Sequence, residues 1–221
     1  MTGTSHLRSP PLLLCAMCVA LTACLGSSRP ARFYTLEPLQ VRDGPSSTPT
    51  DATLTVGPVE LPDYVDRPQI VTRTGANELV FAEFDRWGGS LDNQINNTLV
   101  ATLRDRLAPQ QIAVVPWRSA IVSGGTSYRV RVSVSRFDGI LGQSVVLQAR
   151  WELTAQNGGK VESLGVREAS VTEAIGGPEY DALAAAMQRA LVRFGQQMAD
   201  GVSAAKQAAR TPEPAADSAR R

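Results

Sequence analysis

The chain has 221 residues, with 22 basic and 21 acidic side chains and a formal net charge of +1 at pH 7; that is enough length for one well-buried domain with tails. Balanced charge without basic clusters argues against a nucleic-acid partner, whose phosphates demand a localised positive patch. The one histidine, His6, and the three cysteines, Cys15, Cys18 and Cys24, all fall within the first 24 residues, so the remainder offers no imidazole for a catalytic triad or a His-ligated metal and no intramolecular disulfide.

His6 and Arg8 give a weakly basic start to an apolar run from Pro11 to Leu21. A run of about 11 residues is too short to cross a bilayer, which takes about 20, so residues 1–23 read as a secretory signal. Leu21-Thr22-Ala23-Cys24 matches a bacterial lipobox, in which the cysteine becomes the acylated first residue of the mature chain. An ordinary signal peptide with an incidental cysteine is the alternative, and it leaves the coincidence of position, small residues and cysteine unexplained. Cys24 is the expected lipidation site, and the C-x-x-C of Cys15 and Cys18 lies in the removed run and is no metal or redox motif. Each acyl methylene contributes about 0.8 kcal/mol, so a multiply acylated cysteine tethers a protein stably without spanning the membrane. Leu25 stands where an Asp resembles an inner-membrane retention signal in enteric bacteria, which favours the outer membrane.

Residues 24–32 form a Gly/Ser/Pro-containing tether whose last eight residues reach about 26 Å at about 3.3 Å each. The expected domain covers 33–202. Phe33 to Leu36 is a short strand candidate, residues 40–51 read as a flexible surface loop rich in Pro, Ser, Thr and Gly, and Thr53 to Val59 is a strand. Pro58, Pro62 and Pro68 then fix φ and remove backbone donors, predicting a stiff, extended connection. Gln69 to Arg73 and Glu78 to Phe84 read as two short strands joined by a turn at Thr74-Gly75-Ala76-Asn77.

After Gly88-Gly89, Ser90 is placed to cap a helix with its hydroxyl. Leu91, Ile95, Leu99, Leu103 and Leu107 recur every four residues as one apolar stripe, which reads as core, and Pro109 ends the helix. Gln111 to Trp117 follows as a short strand that Pro116 places at an edge or strand end. Ser127 to Phe137 alternates Tyr128, Val130, Val132 and Val134 against Arg129, Arg131, Ser133 and Ser135, and Asp138-Gly139 is expected to open a loop. Val145 to Ala155 and Val161 to Ala174 form a hairpin through Asn157-Gly158-Gly159. Arg129, Arg131, Arg150, Glu152, Arg167 and Glu168 on the polar sides read as a solvated charge ladder. A second helix begins near Pro178 and carries Tyr180, Leu183, Met187, Leu191, Phe194 and Met198 at helical spacing. Residues 203–221 read as a disordered tail. The order β-β-β-β-α-β-β-β-β-α gives a single mixed α/β domain, a largely antiparallel sheet covered by two long amphipathic helices.

The run GPVELPDYVDRPQIVTR, followed by NEL and AEFDRW, resembles the signature of the ABC-type transport auxiliary lipoproteins, the PqiC or YmbA family of bacterial envelope proteins. The resemblance extends more loosely from Phe33 to about Met198. It implies an outer-membrane-anchored, non-catalytic accessory subunit of a lipid transport system with a mammalian-cell-entry-type (MCE) partner and ABC and permease components. It also implies ring-like homo-oligomers.

For contact with such partners the residues of choice are Tyr64, Asp66, Arg67 and Gln69, with Arg86 and Trp87 beside them, because Tyr, Arg and Trp supply large rigid contacts. Equally, Asp66 and Arg67 can tie down the loop while Trp87 fills the core. No cofactor or metal is expected, and no G-x-x-x-x-G-K-[ST] loop is present. Two other classes stay open. A lipid carrier requires a continuous pocket lined by Phe81, Phe84 and helix leucines, and a carboxylate-pair hydrolase requires Asp63/Asp66 or Glu83/Asp85 to converge in a cleft.

Overall fold

In a computed structural model, residues 29–36, 51–119, 126–157 and 159–210 are described. The signal, Cys24, most of the tether, most of the 40–51 loop and residues 211–221 lie outside them. Among the described residues, eight strands and two long helices follow the predicted order: β1 Arg32–Tyr34, β2 Ala52–Glu60, β3 Gln69–Arg73, β4 Leu79–Trp87, α1 Leu91–Leu107, β5 Ile112–Pro116, β6 Thr126–Ile140, β7 Ser144–Asn157, β8 Lys160–Ala174 and α2 Tyr180–Arg210. A short 3-10 turn, Ala108–Gln110, carries Pro109 and closes α1.

The strands divide between two sheets, with orders β1-β4-β3 and β5-β2-β6-β7-β8. The β6-β7-β8 meander and the β3-β4 hairpin are antiparallel, whereas β2 runs parallel to both its neighbours and β1 runs parallel to β4. Alternation along each strand foretold the antiparallel meander. The parallel centre was hidden, because β2 is buried along most of its length and carries no alternation to read.

Both helices cover one face of the five-stranded sheet, α1 over β2 and β5, α2 over β7 and β8. The stripe Leu91, Ile95, Leu99, Leu103 and Leu107 is sealed in the core, as are Leu183, Met187, Leu191, Phe194 and Met198 of α2; each such side chain contributes about 1.5–3 kcal/mol of burial. The helices approach closely at Gly195, where an added Cβ would come 2.9 Å from Thr102 Cγ2. The opposite face of the sheet exposes Arg129, Arg131, Ser133 and Ser135. Across it Arg150 pairs with Glu168 at 2.9 Å as part of the expected solvated ladder, but Arg167, expected in the same ladder, shares the helix-covered face with its register partner Trp151 and places its guanidinium 5.0 Å from that ring. Residues Ala31–Arg221 form one compact unit, and it contains the whole of this core.

Several local expectations are corrected. Ser90 occupies the N-cap of α1 but makes no capping hydrogen bond; its Oγ accepts instead from Asn93 Nδ2 at 2.7 Å. The helix α2 runs on through 203–210, where a tail was expected, because Val202 is buried in the core and Lys206 Nζ donates to the Gln110 carbonyl at 2.6 Å. The proline block is folded, not extended. The Pro62 carbonyl accepts from Val65 N at 3.0 Å and from Asp66 N at 3.3 Å, since a fixed φ near −65° also suits a turn. Asp138 and Gly139 belong to β6. A bulge between Val134 and Arg136 shifts the register with β7 and carries Asp138 into the interior.

Candidate functional site

The turn at 62–68 splits the predicted contact residues into an inner and an outer set. Val65 is buried, and Tyr64 points inward, its hydroxyl donating to Asp138 Oδ2 at 2.8 Å and accepting from Phe137 N at 3.4 Å. Burial and the Asp138 carboxylate raise the Tyr64 pKa above its usual value. Asp138 is 0% exposed. It is neutralised by Arg136 Nε at 3.0 Å and by Arg73 Nε at 2.9 Å, the latter an ion pair whose N–H is not aligned for a hydrogen bond. This cluster joins β3 and the turn to β6, and it is architecture: the Tyr64 hydroxyl and both arginines converge on the buried Asp138 carboxylate.

Asp85 forms a second buried junction. Arg32 Nη2 and the Tyr34 hydroxyl each lie 2.8 Å from its Oδ1. Burial, reinforced by the hydrogen bond to Asp85, pushes the Tyr34 pKa up to about 12. Glu83 is exposed while Asp85 is engaged, and Asp63 and Asp66 are both exposed on the turn, so neither carboxylate pair converges in a sheltered cleft. The helix leucines belong to the sealed core, and Phe81 stands outside it with the Arg67 guanidinium 4.2 Å above its ring. These residues do not form the continuous pocket a carrier requires.

The outer set does come together. Asp66, Arg67 and Trp87 line one open cleft of roughly 430 Å³ with Phe33, Pro68, Gly88, Gly89, Ser90 and Leu91. Trp87 is 4% exposed and forms the floor, held by its backbone N–H donating to the Pro68 carbonyl at 2.8 Å. Phe33 is 66% exposed at the rim and lies beside Arg86 in the β1–β4 register, with Gln69 on the other side of Arg86. Arg67 Nη2 reaches the Asp63 carbonyl only at 3.5 Å. Among the described residues, its Nε and the Nε of Arg86 are buried without hydrogen-bond partners.

Of the six predicted contact residues, then, Asp66, Arg67 and Trp87 share the cleft, Gln69 and Arg86 flank it half-buried, and Tyr64 turns away. Phe33 and Asp138 were not singled out. For Phe33 the available signal was an aromatic side chain in the first strand after the tether; for Asp138 nothing in the local pattern announces a bulge.

Comparison with known proteins matches this architecture. The chain is 28% identical over 136 residues to the intermembrane transport lipoprotein PqiC of Escherichia coli, covering 62% of this chain and 70% of that protein, and the same figures hold for PqiC of Shigella flexneri. The fold resembles a crystal structure of a Xanthomonas campestris protein with a TM-score of 0.59 at 20% identity, covering 81% of this chain and all of that one. It also resembles a crystal structure of an uncharacterized protein with a TM-score of 0.61 at 22% identity, covering 79% of this chain and 99% of that one. The model of the ABC-type transport auxiliary lipoprotein component matches residues 34–199, and this chain, PqiC-like in sequence, belongs to that family.

Proposed function

We propose that this protein is a non-catalytic accessory lipoprotein, anchored through acylated Cys24 to the periplasmic face of the outer membrane, that serves an MCE/ABC-type system moving lipid between membranes. The family match across 34–199 carries this reading, and the relatives named intermembrane transport lipoproteins support the transport assignment. The lipobox supports the anchor. The work of the chain is contact with neighbours: an MCE-domain partner, its ABC and permease components, and further copies of itself in a ring. Asp66 and Arg67, flanked by Gln69 and Arg86 and floored by Trp87, form the contact site; Tyr64 supports it from within through Asp138.

The test is co-purification of the acylated chain with the MCE-domain protein encoded nearest to it, for wild type and Arg67→Ala. Loss of the partner with an unchanged melting temperature supports the reading. Retention of the partner by the variant, or turnover of a substrate by the purified chain alone, overturns it.

A further inference from the structure

The cleft of Phe33, Arg67, Pro68 and Trp87 has a shape and a chemistry that select among partners. Its volume of roughly 430 Å³ fits one or two inserted side chains. A bilayer surface is met by protruding side chains, not by a hollow. Buried Trp87 and Leu91 and exposed Phe33 supply its apolar lining, beside the polar Asp66, Arg67 and Ser90.

Two features ask for an extended chain with an acidic group. First, β1 is an edge of its sheet, with β4 its one neighbour among the described residues, so alternate backbone groups of Arg32–Tyr34 face outward and can pair with an added strand. Second, Arg67 carries five N–H donors, of which one makes a contact at 3.5 Å while its Nε is buried and unpaired among the described residues. A guanidinium with a buried, unpaired Nε favours a carboxylate partner. The guanidinium lies over the Phe81 ring, its Cζ 4.2 Å from the centroid.

We infer that this cleft is a docking groove for an extended peptide segment of a partner protein, one that adds alongside β1, places an aromatic or aliphatic side chain over Trp87 and presents an Asp or Glu to Arg67. The inference rests on the contact reading above and specifies the partner's chemistry. It differs from that reading in being independent of acylation and of which transport system is served.

The probe is a phage-displayed library of random heptapeptides selected on the Ala31–Arg221 unit, which contains the whole hydrophobic core. The expected result is a consensus pairing a large apolar residue with Asp or Glu. A synthetic peptide of that consensus should bind wild type at least fivefold more tightly than Arg67→Ala and than Phe33→Asp, with both variants melting as wild type does. A peptide with Lys in place of the acid should bind as weakly as the wild-type peptide binds Arg67→Ala. Selection without a consensus, or a consensus indifferent to both variants, overturns the inference. Flotation of the same unit with phosphatidylethanolamine/phosphatidylglycerol vesicles, abolished by Phe33→Asp, also overturns it and assigns the face to lipid. A confirmed consensus in a chain that ignores the MCE-domain protein would sink the proposed function and leave the groove standing.

Discussion

The Tyr64 hydroxyl donates to Asp138 Oδ2 at 2.8 Å across 74 residues of sequence, and through that bond the signature turn is fastened to the larger sheet. Asp138 is the shared anionic partner of Tyr64, Arg136 and Arg73, so removing it strands two guanidinia and removing Tyr64 strands none. Asp138→Ala should cost about 3–5 kcal/mol, as for a broken buried ion pair, and Tyr64→Phe about 1.5–3 kcal/mol, as for one hydrogen bond to a charged group. Urea denaturation of the two variants checks the order; equal losses would mean the arginines are compensated elsewhere.

Arg67→Ala should behave differently. Its contacts with the protein are a stacking on half-exposed Phe81 and a long hydrogen bond at the surface, together worth about 0.5–1 kcal/mol. Thermal melting should fall by no more than a few degrees, well short of the Asp138→Ala loss. A larger fall would make the residue architectural.

Alkaline pH should weaken the Tyr34–Asp85 junction. The folded pKa of Tyr34, about 12, lies above its ordinary value of 10.0, so the native state holds its proton after the unfolded chain has lost it. The stabilisation is whole below pH 10 and is lost as pH rises toward 12. Tyr34→Phe should flatten that part of the stability profile, measured by denaturant midpoints from pH 9 to 12. An unchanged slope would show that the hydroxyl is not the group titrating.

Gly57 has φ +109, and a Cβ there would collide with the Trp117 ring and with Asn96 Nδ2. Both the backbone angle and the space forbid a side chain, so Gly57→Ala should destabilise by more than about 1 kcal/mol. Gly75, which has open space around it, is the control. Its alanine variant should melt within a few degrees of wild type.

Cys24→Ser should release the mature protein from the membrane fraction, because the acyl chains are the anchor in the proposed arrangement and no described helix is long and apolar enough to cross a bilayer. Mass spectrometry of the wild-type amino terminus should find fatty acyl groups on Cys24. Their absence would remove the tether from the account.

Periodic segments were the legible part of this fold. The four-residue spacing of α1 and the two-residue alternation of β6 and β7 announce one buried face each, and all their inward residues are buried. What escaped reading depends on register. The bulge before Arg136 changes which face a residue takes, so Asp138 passed for a loop residue, and the pairing of β2 with β5 and β6 joins strands with no local signal between them. The site was half legible for the same reason: composition marked the 62–69 run as unusual, but which of Tyr64 and Arg67 faces outward is decided by a turn closing on the Pro62 carbonyl.

The placement of β2 also orders events in time. Its partners Ile112 and Tyr128 leave the ribosome long after Leu54 and Val56 do, so the middle of the larger sheet stays open until the chain has delivered β6. The β3–β4 hairpin suffers no such delay, because its strands are neighbours. Non-local parallel pairing of this kind slows folding, and a newly made chain therefore spends its first moments with a finished small sheet and an apolar strand still waiting for both its neighbours.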